Sequence, residues 1–472
     1  MDELLAARWT RTESHWSGRA WAIYLGWIVV TLDGSALNLA LPSIAREFGA
    51  DSASLAWTVD AYALPLASLL LLGGSLGDRI GAARLFRVGV IGFALSSIGC
   101  ALAPSLAFLV AFRALQGVFA AAVVPMILAM VGTSFANASV RARAVNLLTV
   151  FGGAGMAVGP FLGGVLTDTV GWRAVFWLTA PFAILAAALV APARGGSPIG
   201  ARLRLDVRGQ LTGTIGLVLF VAGLIEVGRE TGSDPLPWIL LGCGALALGA
   251  FVVVERVSPA PMMPLSVFAV REFRWVVAGG FGFQVGTYGM LFFLAVFIQH
   301  AWGLSALLSG VLLVPVAVGI VLSSTFVNPS LIVRGPQVMI IIGSSISIAA
   351  ALGMLLVTGV HQWGLLAAGC FLIGVGSGIY STGLNQIAGR ALGVSRSGLG
   401  SGIYNTGRQI GQSVGVAVFG ALAVQTAART GFVVTMLIVA GCTLLVLGSG
   451  IASLRSAGAV TAPTSSAGSL SS

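Results

Sequence analysis

The chain has 472 residues, of which 57% are hydrophobic and only 8% charged, and its mean hydropathy is +0.99. A soluble domain carries about 25% charged residues, so this composition excludes a water-soluble globular protein and points to lipid as the solvent. The formal net charge of +10 comes from arginine alone; with no lysine there is no GxxxxGK[ST] phosphate loop, which excludes an ATP-driven pump on this chain.

A membrane-crossing helix needs about 20 mostly apolar residues, because the hydrocarbon layer is roughly 30 Å thick. Its backbone groups must pair within the segment. The apolar runs here are too long and continuous for alternating barrel strands. They predict an all-α polytopic membrane protein with spans near 21–42, 56–76, 86–104, 107–132, 145–167, 173–192, 209–228, 236–257, 276–300, 305–328, 337–359, 363–387, 398–425 and 430–454. Residues 1–20 are polar and lack the apolar core and cleavage site of a signal peptide, so the first span is expected to stay attached.

An even number of spans puts both termini on one side. With that side cytoplasmic, nineteen arginines fall inside, among them Arg79, Arg84, Arg87, Arg141, Arg143, Arg202, Arg204 and Arg208. Four fall outside: Arg46, Arg173, Arg229 and Arg429. Arginine excess marks cytoplasmic loops, so both termini are expected in the cytoplasm of a cell-membrane protein. The same bias explains the basic charge without a nucleic-acid partner.

Two inner connections, Ala193 to Arg208 and Ser258 to Trp275, are longer than the rest and rich in Gly, Pro and Arg or in Pro alone. They bracket spans 7 and 8. The expected organisation is a cytoplasmic segment 1–20, a six-helix bundle over 21–192, linkers with two extra spans over 193–275, a second six-helix bundle over 276–455, and a disordered tail 456–472. Span 5 carries Gly155, Gly159 and Gly163; span 13 carries Gly407, Gly411 and Gly415. Glycines four apart form a smooth face that lets a neighbouring helix approach. The match between the two stripes suggests an internal repeat, against the plainer reading of generic helix packing.

An ionisable side chain inside a span costs at least about 2.5–3.5 kcal/mol on insertion scales, so each needs a reason. Asp33 lies mid-span in WIVVTLDGSALNLALP, Asp60 lies in AWTVDAYALP of span 2, and Arg113 lies in FLVAFRALQG of span 4 with Gln116 one turn on. One reading has these acids taking up protons as access alternates, with Arg113 tuning or pairing with one of them. The other reading is a structural polar contact. All fifteen acidic residues lie at or before Glu272, so carboxylate-based coupling belongs to the first bundle or to spans 7 and 8. The second bundle offers neutral polar groups instead: Gln284, Thr287 and Tyr288, then Asn385 and Gln386, then Asn405 and Gln409. Phe281, Phe283, Met290, Phe292 and Phe293 crowd the same span as Gln284. A large apolar cavity with few hydrogen-bonding groups suits a lipophilic substrate. The four cysteines sit unpaired in apolar runs and the histidines are too few for a metal site.

Five motifs, in order and on the expected spans, resemble the major facilitator superfamily, and within it the fourteen-span drug:proton antiporter branch. They are LDGSALNLALP from Leu32, GGSLGDRIGAARLF from Gly73, FRALQGVFAAAVVP from Phe112, GMAVGPFLGG from Gly155 and NTGRQIGQSVGVA from Asn405. GMAVGPFLGG matches the antiporter motif GxxxGPxxGG at every fixed position. The inner-loop motif departs from the family pattern at Ala82 and Ala83, where two basic residues are usual.

The resemblance implies a proton-driven exporter of lipophilic, often cationic, compounds, working by alternating access between two six-helix bundles. The proton gradient would be its energy source, with no cofactor. Its partners would be a lipophilic small molecule, protons and membrane lipids, and the monomer would suffice. By matching position, Asp33, Asp60 and Arg113 would couple protons. Asp33, Asn38, Asp60, Gln116, Gln284, Tyr288, Asn385 and Asn405 would contact substrate. Gly155, Gly159, Pro160 and Gly163 would shape the bundle interface, and Asp78 and Arg79 would latch the outward-open state. Competing readings are a dedicated exporter of one antibiotic, lipid or peptide made by the same cell, and a non-transporting receptor or scaffold. No catalytic constellation supports an enzyme.

Overall fold

The computed structural model describes residues 18–134, 138–190, 206–227, 234–357, 362–393, 397–425 and 427–460. Most of the N-terminal segment, the linker arginines Arg194, Arg202 and Arg204, Arg229 and the tail after 460 lie outside the described residues. The described residues form fourteen long helices and no strand. These are α1 (Gly18–Phe48), α2 (Ser52–Ile80), α3 (Ala82–Ala101), α4 (Leu106–Ser134), α5 (Ala138–Thr169), α6 (Arg173–Leu189) and α7 (Val207–Val227). They continue as α8 (Leu236–Val257), α9 (Arg271–Ala301), α10 (Ala306–Ile332), α11 (Pro336–Gly353), α12 (Trp363–Arg390), α13 (Ser397–Gln425) and α14 (Ala428–Val460).

Eleven of these are long and apolar enough to cross a membrane, and α6 is apolar but 17 residues long. In α5 and α13 the apolar run is interrupted by Arg141 and Arg143, and by Asn405, Arg408 and Gln409. Several helices outrun their expected spans. α1 continues past Pro42 to Phe48, where Arg46 donates to the Ser43 hydroxyl at 2.9 Å and to the Pro42 carbonyl at 3.4 Å. Hydropathy marks where lipid ends, whereas backbone pairing continues into the polar interface. α10 reads as one uniform span in the sequence, yet Ser323–Val327 is π-helical. Pro329 lacks an N–H and its ring crowds the carbonyl four residues back, which a widened turn relieves.

The helix pairings repeat. In the first bundle α1 packs on α4, α5 and α6, α2 and α3 pack on α4, and α3 packs on α6. In the second, α9 packs on α12, α13 and α14, α10 and α11 pack on α12, and α11 packs on α14. The turns repeat as well. Gly49 and Gly303 have φ of 62° and 64°, and Gly81 and Gly335 have φ of 93° and 95°. These four sit at the left-handed turns before α2 and α10 and before α3 and α11, where a Cβ would be strained. Asp51 caps α2 by accepting from the Ser54 amide, and Ser305 caps α10 by accepting from the Leu308 amide. An internal repeat of six helices therefore underlies both bundles.

The glycine stripes seat the first helix of each bundle. A Cβ at Gly155, Gly159 or Gly163 would meet Thr31, Ser35 or the Ala36 carbonyl of α1. A Cβ at Gly407, Gly411 or Gly415 would meet Val277, Phe281 or Val285 of α9. Backbone rather than a flexible side chain lies against Gly163, so Gly163→Val is expected to force α1 and α5 apart. Its yield of monodisperse protein after detergent extraction, read by size-exclusion chromatography, should fall several-fold.

The two bundles meet along two seams, α5 against α10 and α2 against α13, which the repeat exchanges for one another. α7 and α8 pack on each other outside the bundles, with α7 against the α2–α13 seam, where Gln210 donates to the Ser68 carbonyl at 2.8 Å. At the end away from both termini the bundles share apolar cores. Leu32, Leu41, Ala56 and Phe176 cluster there with Phe292, Val296 and Val416. The Asp168 carboxylate accepts from the Leu307 amide at 2.7 Å at the same end. At the end bearing the termini the apolar clusters stay within single bundles: Tyr24, Phe86 and Met130 in one, Phe273 and Ile403 in another. Apolar cores shared between the bundles thus lie at one end, and cores confined to one bundle at the other.

Candidate transport site

The interior of the first bundle holds a closed polar network. α1 brings Asp33, α4 brings Arg113 and Gln116 on adjacent turns of one face, and α3 brings Ser97. Arg113 is 1% exposed and Asp33 0%, and an Arg113 Nη1–Asp33 Oδ2 ion pair of 2.6 Å joins them. The same Nη1 donates to Gln116 Oε1 at 2.7 Å, and Gln116 Nε2 donates to Asp33 Oδ1 at 2.9 Å and to Ser97 Oγ at 2.7 Å. Arg113 Nε donates to the Thr58 carbonyl at 3.1 Å. The guanidinium carbon stands 4.4 Å from the centre of the Tyr62 ring, a cation–π arrangement. Ser97 continues the chain to Thr179 of α6 at 2.9 Å.

Each part of this arrangement meets an electrostatic need. A buried carboxylate is tolerated only when paired and hydrogen-bonded. Asp33 has both, because one oxygen takes the guanidinium and the other the Gln116 amide. Gln116 touches acid and base together and fixes their relative position. The i, i+3 spacing of Arg113 and Gln116 was legible in the sequence, as was the acid. Ser97, Thr58, Tyr62 and Thr179 were not singled out there, since hydroxyls and an aromatic in apolar spans look like ordinary packing residues.

Asp60 is different. It is fully buried on α2, facing the α13 seam, and neither carboxylate oxygen has a hydrogen-bond partner among the described residues. Ser413 of α13 is the side chain placed to donate to it, although its hydroxyl stands outside hydrogen-bond geometry. A buried polar group without partners costs about 1–3 kcal/mol, so Asp60 marks a point where the seam is held under polar strain.

The second bundle has its own polar group. Arg408 of α13 donates to Gln284 Oε1 of α9 at 3.4 Å, and Gln284 Nε2 reaches Gln412 Oε1 at 3.5 Å. The Arg408 guanidinium carbon lies 5.2 Å from the Phe283 ring centre and 5.8 Å from that of Tyr404. Tyr288, half-buried, is within electrostatic reach of Arg408.

The eight expected substrate contacts do not form one pocket here. Asp33 and Gln116 are enclosed in the first bundle with their polar atoms engaged. Asn38 is buried with its Oδ1 unpartnered, and Asp60 is in the seam. Gln284 and Tyr288 gather near Arg408. Asn405 donates to Ser401 in its own helix at 3.0 Å, and Asn385 is exposed. Arg408 and Gln412 join this group without having been expected as site residues. Asp78 is exposed and makes no ion pair among the described residues, while Arg79 has a buried Nε without a partner. Pro160 and Gly164 of the GPxxGG segment face α10, where the Pro160 carbonyl lies against Gly310 and a Cβ on Gly164 would meet Ala306.

The Major Facilitator Superfamily model matches residues 23–416. A puromycin resistance protein of Streptomyces alboniger is 38% identical over 333 residues, covering 70% of this chain and 65% of that protein. Against this relative the chain thus spans just under two thirds of the partner's length. Multidrug resistance protein Stp of Mycobacterium tuberculosis is 31% identical over 398 residues, covering 84% of this chain and 74% of that protein. The crystal structure of the human organic anion transporter MFSD10 superposes with a TM-score of 0.62 at 14% identity, covering 91% of this chain and 99% of that one. At that identity the likeness speaks for the fold alone, and the fold it speaks for is the one described above. Sequence match along most of the length, paired six-helix bundles and an all-helical membrane architecture agree: this chain belongs to the major facilitator superfamily.

Proposed function

We propose that the protein is a proton-coupled exporter of lipophilic compounds that works by alternating access. The observation that carries this reading is Asp60, a fully buried acid with both oxygens unpartnered in a seam between two bundles. A seam that opens would wet this carboxyl group, and one that closes would dry it. Ionising it in the dry state is costly, so proton uptake and release follow the conformational change. Asp33, held by Arg113 and Gln116, would sense that change through α1 and α4. The relatives named for puromycin resistance and multidrug resistance support export of drug-like compounds.

On this reading the arginine-rich end faces the cytoplasm. The end with shared apolar cores is then the outer one, which supports reading this state as inward-facing. Asp78, exposed and without an ion pair among the described residues, fits that state, since an engaged inner latch would hold it. The protein would act as a monomer, and its energy would come from the proton gradient.

The test is efflux from membrane vesicles under an imposed pH gradient, using lipophilic dyes of positive, neutral and negative charge. Wild-type vesicles are expected to move at least one dye faster with the gradient than without it. Gradient-independent behaviour of every dye would contradict the reading and favour a receptor or scaffold. Breadth across the panel separates a multidrug exporter from one dedicated to a single compound.

A further inference from the structure

Arg113 and Arg408 both lie inside spans, the first buried and the second part-buried, and their surroundings treat them unequally. Arg113 has a carboxylate at 2.6 Å, a glutamine carbonyl at 2.7 Å and a backbone carbonyl at 3.1 Å. Arg408 has one long hydrogen bond to Gln284 at 3.4 Å and two aromatic faces beyond 5 Å. Its Nε is buried without a partner, and no carboxylate pairs with it among the described residues. A guanidinium keeps its charge at any physiological pH. Without a counterion, a charge inside a membrane protein is expensive and calls for a functional partner.

That partner does not come from the second bundle. No acid follows Glu272 in the sequence, and Glu272 pairs with Arg390 at 3.6 Å. Asp60, the buried acid of the seam, stands opposite Ser413 and makes no ion pair with Arg408. Around Arg408 the unmatched hydrogen-bonding groups are neutral. The Tyr404 hydroxyl, on a side chain 1% exposed, has no partner among the described residues. Tyr288 and Tyr380 complete an aromatic surround within electrostatic reach of the charge. The result is a positive fork with spare donors, flanked by rings and paired with no carboxylate among the described residues.

We propose that Arg408 is an anion-recognition point between α9 and α13, and that the compounds carried include lipophilic molecules bearing one ionised acid group. This rests on the exporter reading for its transport context, but the recognition itself is an equilibrium property. The guanidinium donates to the acid group, Gln284 and the Tyr404 hydroxyl lend further hydrogen bonds, and Phe283 and Tyr288 cover the apolar body. A cationic compound would meet the same charge as repulsion. The acid-free second bundle thereby acquires a chemical rationale, because a carboxylate there would pair with Arg408 and compete with the ligand.

The test uses three probes that share one fluorophore: 1-pyrenebutyrate, its neutral amide and 1-pyrenebutylamine. The full chain is placed in nanodiscs, and binding is read by energy transfer from tryptophan to pyrene, with protein-free nanodiscs subtracted. The wild type is expected to bind the carboxylate at least about tenfold more tightly than the amide, the range of a charge-assisted hydrogen bond. Arg408→Gln should remove that preference, and Arg408→Lys should keep part of it. Equal wild-type affinity for acid and amide, or an acid preference that survives Arg408→Gln, overturns the proposal. The wild-type comparison needs no variant to fold. Because the readout is binding, failure of proton-driven efflux would sink the exporter reading and leave this result standing.

Discussion

Arg113→Leu is expected to abolish pH-gradient-driven efflux and to destabilise the fold. Removing one partner of a buried ion pair costs about 3–5 kcal/mol, because the remaining charge is left uncompensated. Asp33, Gln116 Oε1 and the Thr58 carbonyl would all lose a donor at once. Heating detergent-solubilised protein and following the monodisperse fraction should show a clear drop in midpoint. A second substitution separates stability from coupling. Arg113→Leu combined with Asp33→Leu replaces the pair by apolar side chains, and buried pairs so replaced are often no less stable than the originals. The double variant should recover most of the lost thermal stability and none of the efflux. Recovery of both would mean that the pair only holds the bundle together.

Asp60→Asn should behave in the opposite way. The amide has nearly the shape of the carboxyl group and carries no charge, and Asp60 makes no hydrogen bond that the change would break. Thermal stability is therefore expected to hold or rise slightly. Gradient-driven efflux should fall by an order of magnitude or more, while equilibrium binding of a neutral lipophilic dye stays within about threefold. Binding and coupling come apart in this variant only when the acid exchanges a proton without anchoring the dye. Efflux that keeps its dependence on the pH gradient would move proton exchange to another group.

Much of this architecture was legible in the sequence. The fourteen apolar runs match fourteen helices, because lipid forces each run to satisfy its own backbone. A polar cluster at Asp33, Arg113 and Gln116 could be anticipated, since each is costly in lipid and two share a helix face. What was not legible has physical causes. The turn glycines Gly49, Gly81, Gly303 and Gly335 carry the repeat as plainly as the stripes do, but nothing distinguishes a left-handed glycine from the others in a chain with 65 of them. The π segment at Ser323–Val327 leaves hydropathy unchanged, so the span reads as uniform. Arg408 falls within the thirteenth apolar run, but hydropathy leaves its depth open, because arginine near a span end can equally reach the interface. Only the packing of α13 on α9 puts it against Gln284 and Phe283. Asp33 and Gln116 were expected to touch substrate, whereas in this state they are closed inside one bundle. Spacing along helices shows which residues share a face and leaves open which neighbour that face meets.

The most direct measurement of the central claim is proton movement itself. The protein is reconstituted in liposomes containing a pH-sensitive dye, with no initial pH gradient, and a transported lipophilic compound is added outside. If protons are exchanged for substrate, the lumen should change pH in step with substrate entry, and Asp60→Asn should abolish the pH change. Substrate entry at the wild-type rate with no accompanying change in lumenal pH would contradict proton coupling altogether.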